Sequence, residues 1–269
     1  MRKSHPALRV SVLTIGYAFL YGPILCLMVF SFNDSALMTS WTGFSLRWYI
    51  ELFQDQALLD AARLSFLIAA LTATTAVVIG TWAGYVLARM GRFRGFGLYI
   101  GMISAPLVMP EVVLGISLLL MFVEVSRVLG WPDGNGVFTI WVGHVTLCMA
   151  YVAVIIQSRV RDLDRSLEEA ALDLGAPPLK VFFLITVPLI TPALLASWLL
   201  SFTLSLDDVV VASFLSGPGY TTLPLEVFSR VRLGLKPEIN ALATLFMLGV
   251  GIVVIVVYRM QRRVVRRDG

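Results

Sequence analysis

The sequence predicts an all-α, polytopic membrane protein with six transmembrane helices. Three observations carry that expectation. Of 269 residues, 58% are hydrophobic and 14% charged, against roughly 45–50% and about 25% in soluble domains, so too few charges are present to build a water-facing shell. The apolar residues gather into six runs of about 20, the length that crosses the roughly 30 Å of bilayer hydrocarbon at 1.5 Å per residue. Basic residues then cluster in every second connection between those runs.

The first run, Val10 to Phe32, is too long for a signal-peptide h-region and has no small-x-small cleavage site before Asn33, which makes it a retained span. Asn33 to Arg63 follows, with Trp41, Phe44, Trp48, Tyr49, Leu52 and Phe53 in an amphipathic pattern suited to the membrane interface. The second run is Leu64 to Ala88. The third, Phe96 to Val123, contains Pro106, Pro110 and Glu111; the fourth is Val137 to Gln157. A polar insert, Ser158 to Pro188, precedes the fifth run, Leu189 to Leu215, which carries Asp207 and Asp208 towards its end. The Gly- and Pro-rich stretch Ser216 to Glu238 leads to the sixth run, Ile239 to Tyr258. With no internal repeat or low-complexity linker, residues 1–269 read as one domain.

Charge sets the orientation and removes other classes. With the N-terminus in the cytoplasm, that side receives Arg2, Lys3 and Arg9, then Arg89, Arg92 and Arg94, then Arg159, Arg161, Arg165 and Lys180, then Arg259, Arg262, Arg263, Arg266 and Arg267. These are fifteen of the 21 Lys and Arg, and the positive-inside rule puts both termini in the cytoplasm. The same placement reads the net charge of +4 as membrane flanks, with no nucleic-acid partner. Cys26 and Cys148 each lie within an apolar run without CxxC or Cys/His spacing, and two histidines, His5 and His144, are too few for a His-based metal cluster. No nucleophile–base or metal-ligand spacing points to an enzyme. No lysine is preceded by glycine, so a G-x-x-x-x-G-K-[ST] phosphate loop is absent.

In the polar insert, Ser166 and Glu169 have the S-x-x-E spacing of a capping box, and Gly175 supplies a helix stop. Pro177 and Pro178 then start a second short helix, Leu179 to Ile185, expected to end before Pro188. Any surface helix-turn-helix shares these local features. The longer spacing is more specific: Glu169-Ala170-Ala171, three residues, Gly175, nine residues, Ile185, one residue, Val187-Pro188. It resembles the EAA loop of bacterial ATP-binding-cassette importer permeases of the type I (MetI-like) family, with Val187 where leucine is usual. The segments Ala105 to Glu111, Ser205 to Val210, Ser216 to Gly219 and Pro237 to Thr244 resemble the second permease of putrescine and spermidine importers, so the similarity runs over nearly the whole chain.

That resemblance implies a six-span permease of the inner membrane with an EAA coupling loop at about 158–188, in which Glu169, Ala170, Ala171, Gly175, Ile185 and Pro188 meet an ATPase. It also implies a heterodimer with a second homologous permease, two ATPase subunits that bind ATP and Mg in place of any cofactor on this chain, and a periplasmic polyamine-binding protein. The intramembrane acids suit such a cargo. Glu111, about halfway along the third run, needs pairing or hydration, and Pro106 and Pro110 kink the backbone just before it. With Asp207 and Asp208 it would form an electronegative path for a polycation, walled by Trp48, Tyr151 and Trp198 through cation–π contacts. Adjacent helical residues point about 100° apart, so one of the two aspartates faces the path while the other caps or hydrates. Glu111 as a helix cap, and each aromatic as a packing residue, remain open at this point. His144 reads as a polar contact between helices. Two rivals stand: the same architecture carrying another solute, and a stand-alone secondary transporter with Glu111 as its proton site.

Overall fold

The computed structural model describes residues 6–35, 40–91, 93–233, 237–249 and 251. Among them five helical stretches are long and apolar enough to cross a membrane: Val10–Phe30, Gln56–Arg89, Glu111–Leu129, Val137–Arg161 and Pro178–Asp207; Phe96–Val108 is a shorter apolar helix. Residues 239–249 of the sixth predicted run are helical, and most of its remainder lies outside the described residues, as do Arg2, Lys3, Arg92 and Arg259 to Arg267. The helices are α1 (Pro6–Phe30), α2 (Arg47–Gln54), α3 (Gln56–Arg89), α4 (Phe96–Val108), α5 (Glu111–Leu129), α6 (Val137–Arg161), α7 (Arg165–Asp173), α8 (Pro178–Val181), α9 (Val187–Asp207), α10 (Val210–Leu215) and α11 (Leu223–Leu233). They fall into two compact units, one within 60–228 and one made of 1–59 with 229–269.

In the larger unit, α3 and α6 pack closely because Gly80 and Gly84 remove the side chains that would separate them. A Cβ on Gly84 would lie 2.5 Å from the Ala153 carbonyl oxygen, and one on Gly80 would lie 2.6 Å from Val152 Cβ. The G-x-x-x-G spacing puts both glycines on one face of α3, where close backbone approach gains van der Waals contact that lipid cannot displace. Gly84→Ala is expected to destabilise the protein by about 1–3 kcal/mol, because the obstruction is backbone and cannot rotate away. A lowered melting temperature of the detergent-solubilised protein checks this. Ser197, Ser201 and Ser205 are buried along α9 at intervals of four, and the Cys148 thiol of α6 donates to the Ser201 carbonyl at 3.7 Å. Ile68, Leu114, Phe122, Ile140, Val211 and Leu215 form a second buried core shared by α3, α5, α6 and α10.

Three expectations from the sequence are corrected. The third run is not one helix: α4 ends at Val108, Met109 is extended at ψ 139°, and α5 begins at Glu111. Pro110 disfavours the α conformation at Met109, so the chain breaks there where a kink was expected, while Pro106 lies inside α4. The fifth run also breaks, since Asp208 leaves the helix at ψ 125° and α10 restarts at Val210. The short helix expected to stop before Pro188 continues instead through a π-helical turn, Phe182–Thr186, into α9. The Val187 N–H reaches back to the Phe182 carbonyl, five residues away. That wider turn accommodates the Pro188 ring, which would strike the carbonyl of residue 184 in a regular α-helix.

In the smaller unit, α2 is held by the chain that precedes it. The Trp48 indole N–H donates to the Asn33 carbonyl at 2.6 Å, and the Asn33 amide donates to the Ser40 carbonyl at 2.7 Å. Phe32 stacks on Phe44 with ring centroids 5.5 Å apart. Asp55 receives both guanidinium nitrogens of Arg230, one of them at 3.1 Å, and Glu238 lies 3.5 Å from the same guanidinium. The Arg230 hydrogen bond holds the Asp55 carboxyl below the usual carboxylate range.

Candidate functional site

The break between α9 and α10 is built around Asp208. Its carboxylate accepts the N–H groups of Val211 (3.3 Å) and Ala212 (2.9 Å), which caps α10. It also lies 3.0 Å from His144 Nε2 of α6, while His144 Nδ1 lies 2.7 Å from the Ser205 hydroxyl. The His144 side chain is 2% exposed and that of Asp208 8%. Asp208 is thus saturated by partners, and Asp207, the last residue of α9, is left exposed. Of the two aspartates, the geometry leaves Asp207 free to meet a ligand.

Different costs follow for the two residues. Asp208→Ala removes a cap and leaves buried His144 without its Nε2 partner, a loss of about 2–4 kcal/mol from a lost cap and an unsatisfied buried polar group. Asp208→Asn keeps an acceptor for the backbone and for the imidazole, and Asp207→Ala touches no internal contact. Melting temperatures of the solubilised protein should fall strongly for Asp208→Ala alone; equal shifts in all three variants would contradict this assignment.

Glu111 is exposed at the first position of α5, directly after Pro110, which caps that helix without a side-chain hydrogen bond. Its charge therefore sits at the positive end of the α5 dipole. Helices α5 and α10 share a core through Leu114, Val211 and Leu215, so the helix that Glu111 starts packs on the helix that follows the aspartate pair. Among the aromatics, Tyr151 is 37% exposed on α6. Trp198 stacks on Phe202 at 5.3 Å and donates its indole N–H to the Thr74 hydroxyl of α3 at 3.2 Å. Trp48, in the other unit, is 4% exposed. The Arg47 guanidinium lies 5.1 Å from its ring centroid, so a cationic cargo would find that face taken. Among the described residues no group of three or more His, Cys, Asp or Glu could hold a metal ion.

The second cluster of sequence-predicted residues lies on α7 and the turn after it. Here the capping residue is Asp164, whose carboxylate accepts the Ser166 N–H at 2.9 Å, which corrects the expected Ser166–Glu169 capping box. That hydrogen bond lowers the Asp164 pKa. At the other end Gly175 has φ +83°. Its N–H bonds to the Leu172 carbonyl (2.8 Å) and the Ala176 N–H to the Ala171 carbonyl (3.1 Å), a Schellman stop. Pro178 opens α8 as its first residue. No residue of α7 is buried. Glu169 and Ala170 are exposed, Ala171 and Ile185 half-buried and Pro188 exposed. Leu172, Leu174 and Leu179 are exposed beside them, which makes an apolar surface with Glu169 at its margin.

Sequence reasoning missed the neighbours that hold these residues. Arg89 Nε of α3 lies 2.9 Å from Glu168 Oε2 in a nearly buried ion pair. The contact falls off the N–H axis, so Arg89 Nε makes no hydrogen bond there. Glu168, one residue before the expected motif, also accepts the Thr186 hydroxyl at 2.8 Å. For Asp208 a signal existed: a histidine in one span and a carboxylate in another are polar groups that seek each other inside a bilayer.

The family of binding-protein-dependent transport system inner membrane components matches residues 76–267. The chain is 58% identical over 255 residues to the putrescine transport system permease protein PotI of Escherichia coli (strain K12), covering 95% of this chain and 91% of that protein. It is 42% identical over 240 residues to the spermidine/putrescine transport system permease protein PotC of the same organism, covering 89% and 88%. Among solved structures, a bacterial ABC transporter involved in the import of the acidic polysaccharide alginate superposes with TM-score 0.70 at 18% identity, over 96% of this chain and 95% of that one. The inward-facing methionine transporter MetNI superposes with TM-score 0.60 at 13% identity, over 84% and 100%. These two likenesses concern the fold.

Proposed function

This chain belongs to the family of binding-protein-dependent transport system inner membrane components, and from that membership we propose that it is the permease subunit of an ATP-binding-cassette importer that moves polyamines, putrescine foremost. It is a non-catalytic, multi-pass membrane component. The observation that carries the cargo is 58% identity to a putrescine permease over 95% of the chain, together with exposed carboxylates at Glu111, the start of α5, and at Asp207, the end of α9 just before the α10 helix that packs on α5. A path with two free carboxylates attracts a diamine and disfavours an anion.

In this reading α7 and the α8 turn face the cytoplasm, as do both termini, and the exposed apolar surface around Glu169 meets an ATPase subunit. A second homologous permease completes the path, two ATPase subunits bind ATP and Mg, and a periplasmic polyamine-binding protein delivers cargo. ATPase closure would move α7 and rock the spans between outward- and inward-open forms. Uptake of labelled putrescine by cells expressing the complete importer, with unlabelled competitors, tests the cargo. Competition by spermidine but not by sulfate or maltose is expected; competition by either of the latter alone would assign a different solute.

A further inference from the structure

We propose that Glu168 is the positioning residue that transmits displacement of α7 to the spans. The inference rests on α7 being the surface that meets the ATPase. Because α7 buries none of its own residues, hydrophobic packing does not hold it to the bundle, and polar ties do. Glu168 makes two of them in opposite directions: its Oε2 lies 2.9 Å from Arg89 at the end of α3, and its Oε1 accepts the buried Thr186 hydroxyl at 2.8 Å. Two side-chain-to-backbone bonds at 3.4 Å add to them: Arg165 of α7 donates to the Ala88 carbonyl of α3, and Arg89 to the Leu163 carbonyl just before α7.

The ion-pair side chains are 9% and 13% exposed. Separating such charges in a low-dielectric setting is costly, so α7 cannot shift without carrying Arg89 with it or breaking the pair. Thr186 closes the π-helical turn from which α9 starts. The front of that turn is fixed to α3 as well, because Phe182 stacks on Trp82 at 4.5 Å and meets Tyr85 edge-on at 4.9 Å. Wide turns of this kind interrupt regular helical hydrogen bonding and recur at functional positions. Glu168 thus grips the element where α9 can pivot, and α9 carries Asp207 at its far end.

The test uses the importer reconstituted in vesicles with its partner permease, ATPases and binding protein, and measures putrescine moved per ATP hydrolysed. Glu168→Gln keeps an acceptor for Thr186 and removes the charge; Thr186→Val keeps the ion pair and removes one hydroxyl. Both are expected to retain the ATPase while the transported-to-hydrolysed ratio falls about fivefold for Glu168→Gln and less for Thr186→Val, as coupling substitutions of about 1 kcal/mol do. An unchanged ratio in the assembled Glu168→Gln complex overturns the proposal. If that variant does not assemble, an unchanged ratio in Thr186→Val overturns it. Glu169→Lys serves as the control for the docking surface: retained ATPase and uptake there would refute the docking reading, whereas lost association there with an unchanged Glu168→Gln ratio would refute only the transmission role.

Discussion

Glu169→Lys and Gly175→Asp are expected to leave the protein in the membrane and to abolish uptake through loss of the ATPase. Glu169 makes no hydrogen bond or ion pair among the described residues and lies exposed on α7, so reversing its charge disturbs only what docks there. Gly175 acts differently. Its backbone has φ +83° with open space around the missing Cβ, and a non-glycine residue in that conformation costs about 1–2 kcal/mol. The Schellman stop between α7 and α8 then loosens and the surface loses its shape. Residues whose truncation weakens an interface most contribute about 2 kcal/mol or more, roughly a thirtyfold loss of association. Co-purification of the ATPase from detergent extracts reads this directly, with membrane abundance as the control. Normal association and uptake in both variants would remove the docking assignment.

Neutralising the free carboxylates is expected to lower polyamine uptake without impairing assembly. Unit charges about 5 Å apart at an effective dielectric near 20 attract by about 3 kcal/mol, and hydration at exposed positions reduces the loss to roughly tenfold. Glu111→Gln should lose more than Asp207→Asn, because Asp208 lies beside Asp207 and no carboxylate neighbours Glu111 in sequence. Glu111→Lys should be worse than Glu111→Gln, since it sets a like charge before the cargo. Asp208→Asn keeps acceptors for its backbone and His144 partners and should change uptake least of the series. Uptake and polyamine-stimulated ATP hydrolysis in reconstituted vesicles check the series. Wild-type rates for Glu111→Gln and Glu111→Lys would make Glu111 a helix-dipole residue and nothing more.

Apolar run length foretold the all-α class and most of the spans seen among the described residues, because membrane thickness constrains run length directly. Breaks within spans were less legible. Pro106 and Pro110 announced a disturbance before Glu111, yet whether two prolines kink or sever a helix depends on Met109 finding room to extend. Nothing local announced the break at Asp208, whose carboxylate is oriented by His144 from another helix. The π-helical turn was misread because Pro188 looks like a stop until the turn before it widens. The S-x-x-E spacing places the cap at Ser166, but Asp164 stands two residues before it and its charged oxygen takes the backbone N–H. Gly80 and Gly84 carried a readable small-residue signal, whereas Glu168 was masked by the motif beside it: Glu169 matches the spacing, but Glu168 faces the bundle.

The most direct measurement is putrescine accumulation in vesicles holding the complete importer, with ATP supplied on the ATPase side and no proton gradient. Accumulation should require ATP, liganded binding protein and this chain together, and should persist when protonophore is added. Uptake by this chain alone, driven by a proton gradient and indifferent to ATP, would contradict the account and make Glu111 the proton site of a secondary transporter.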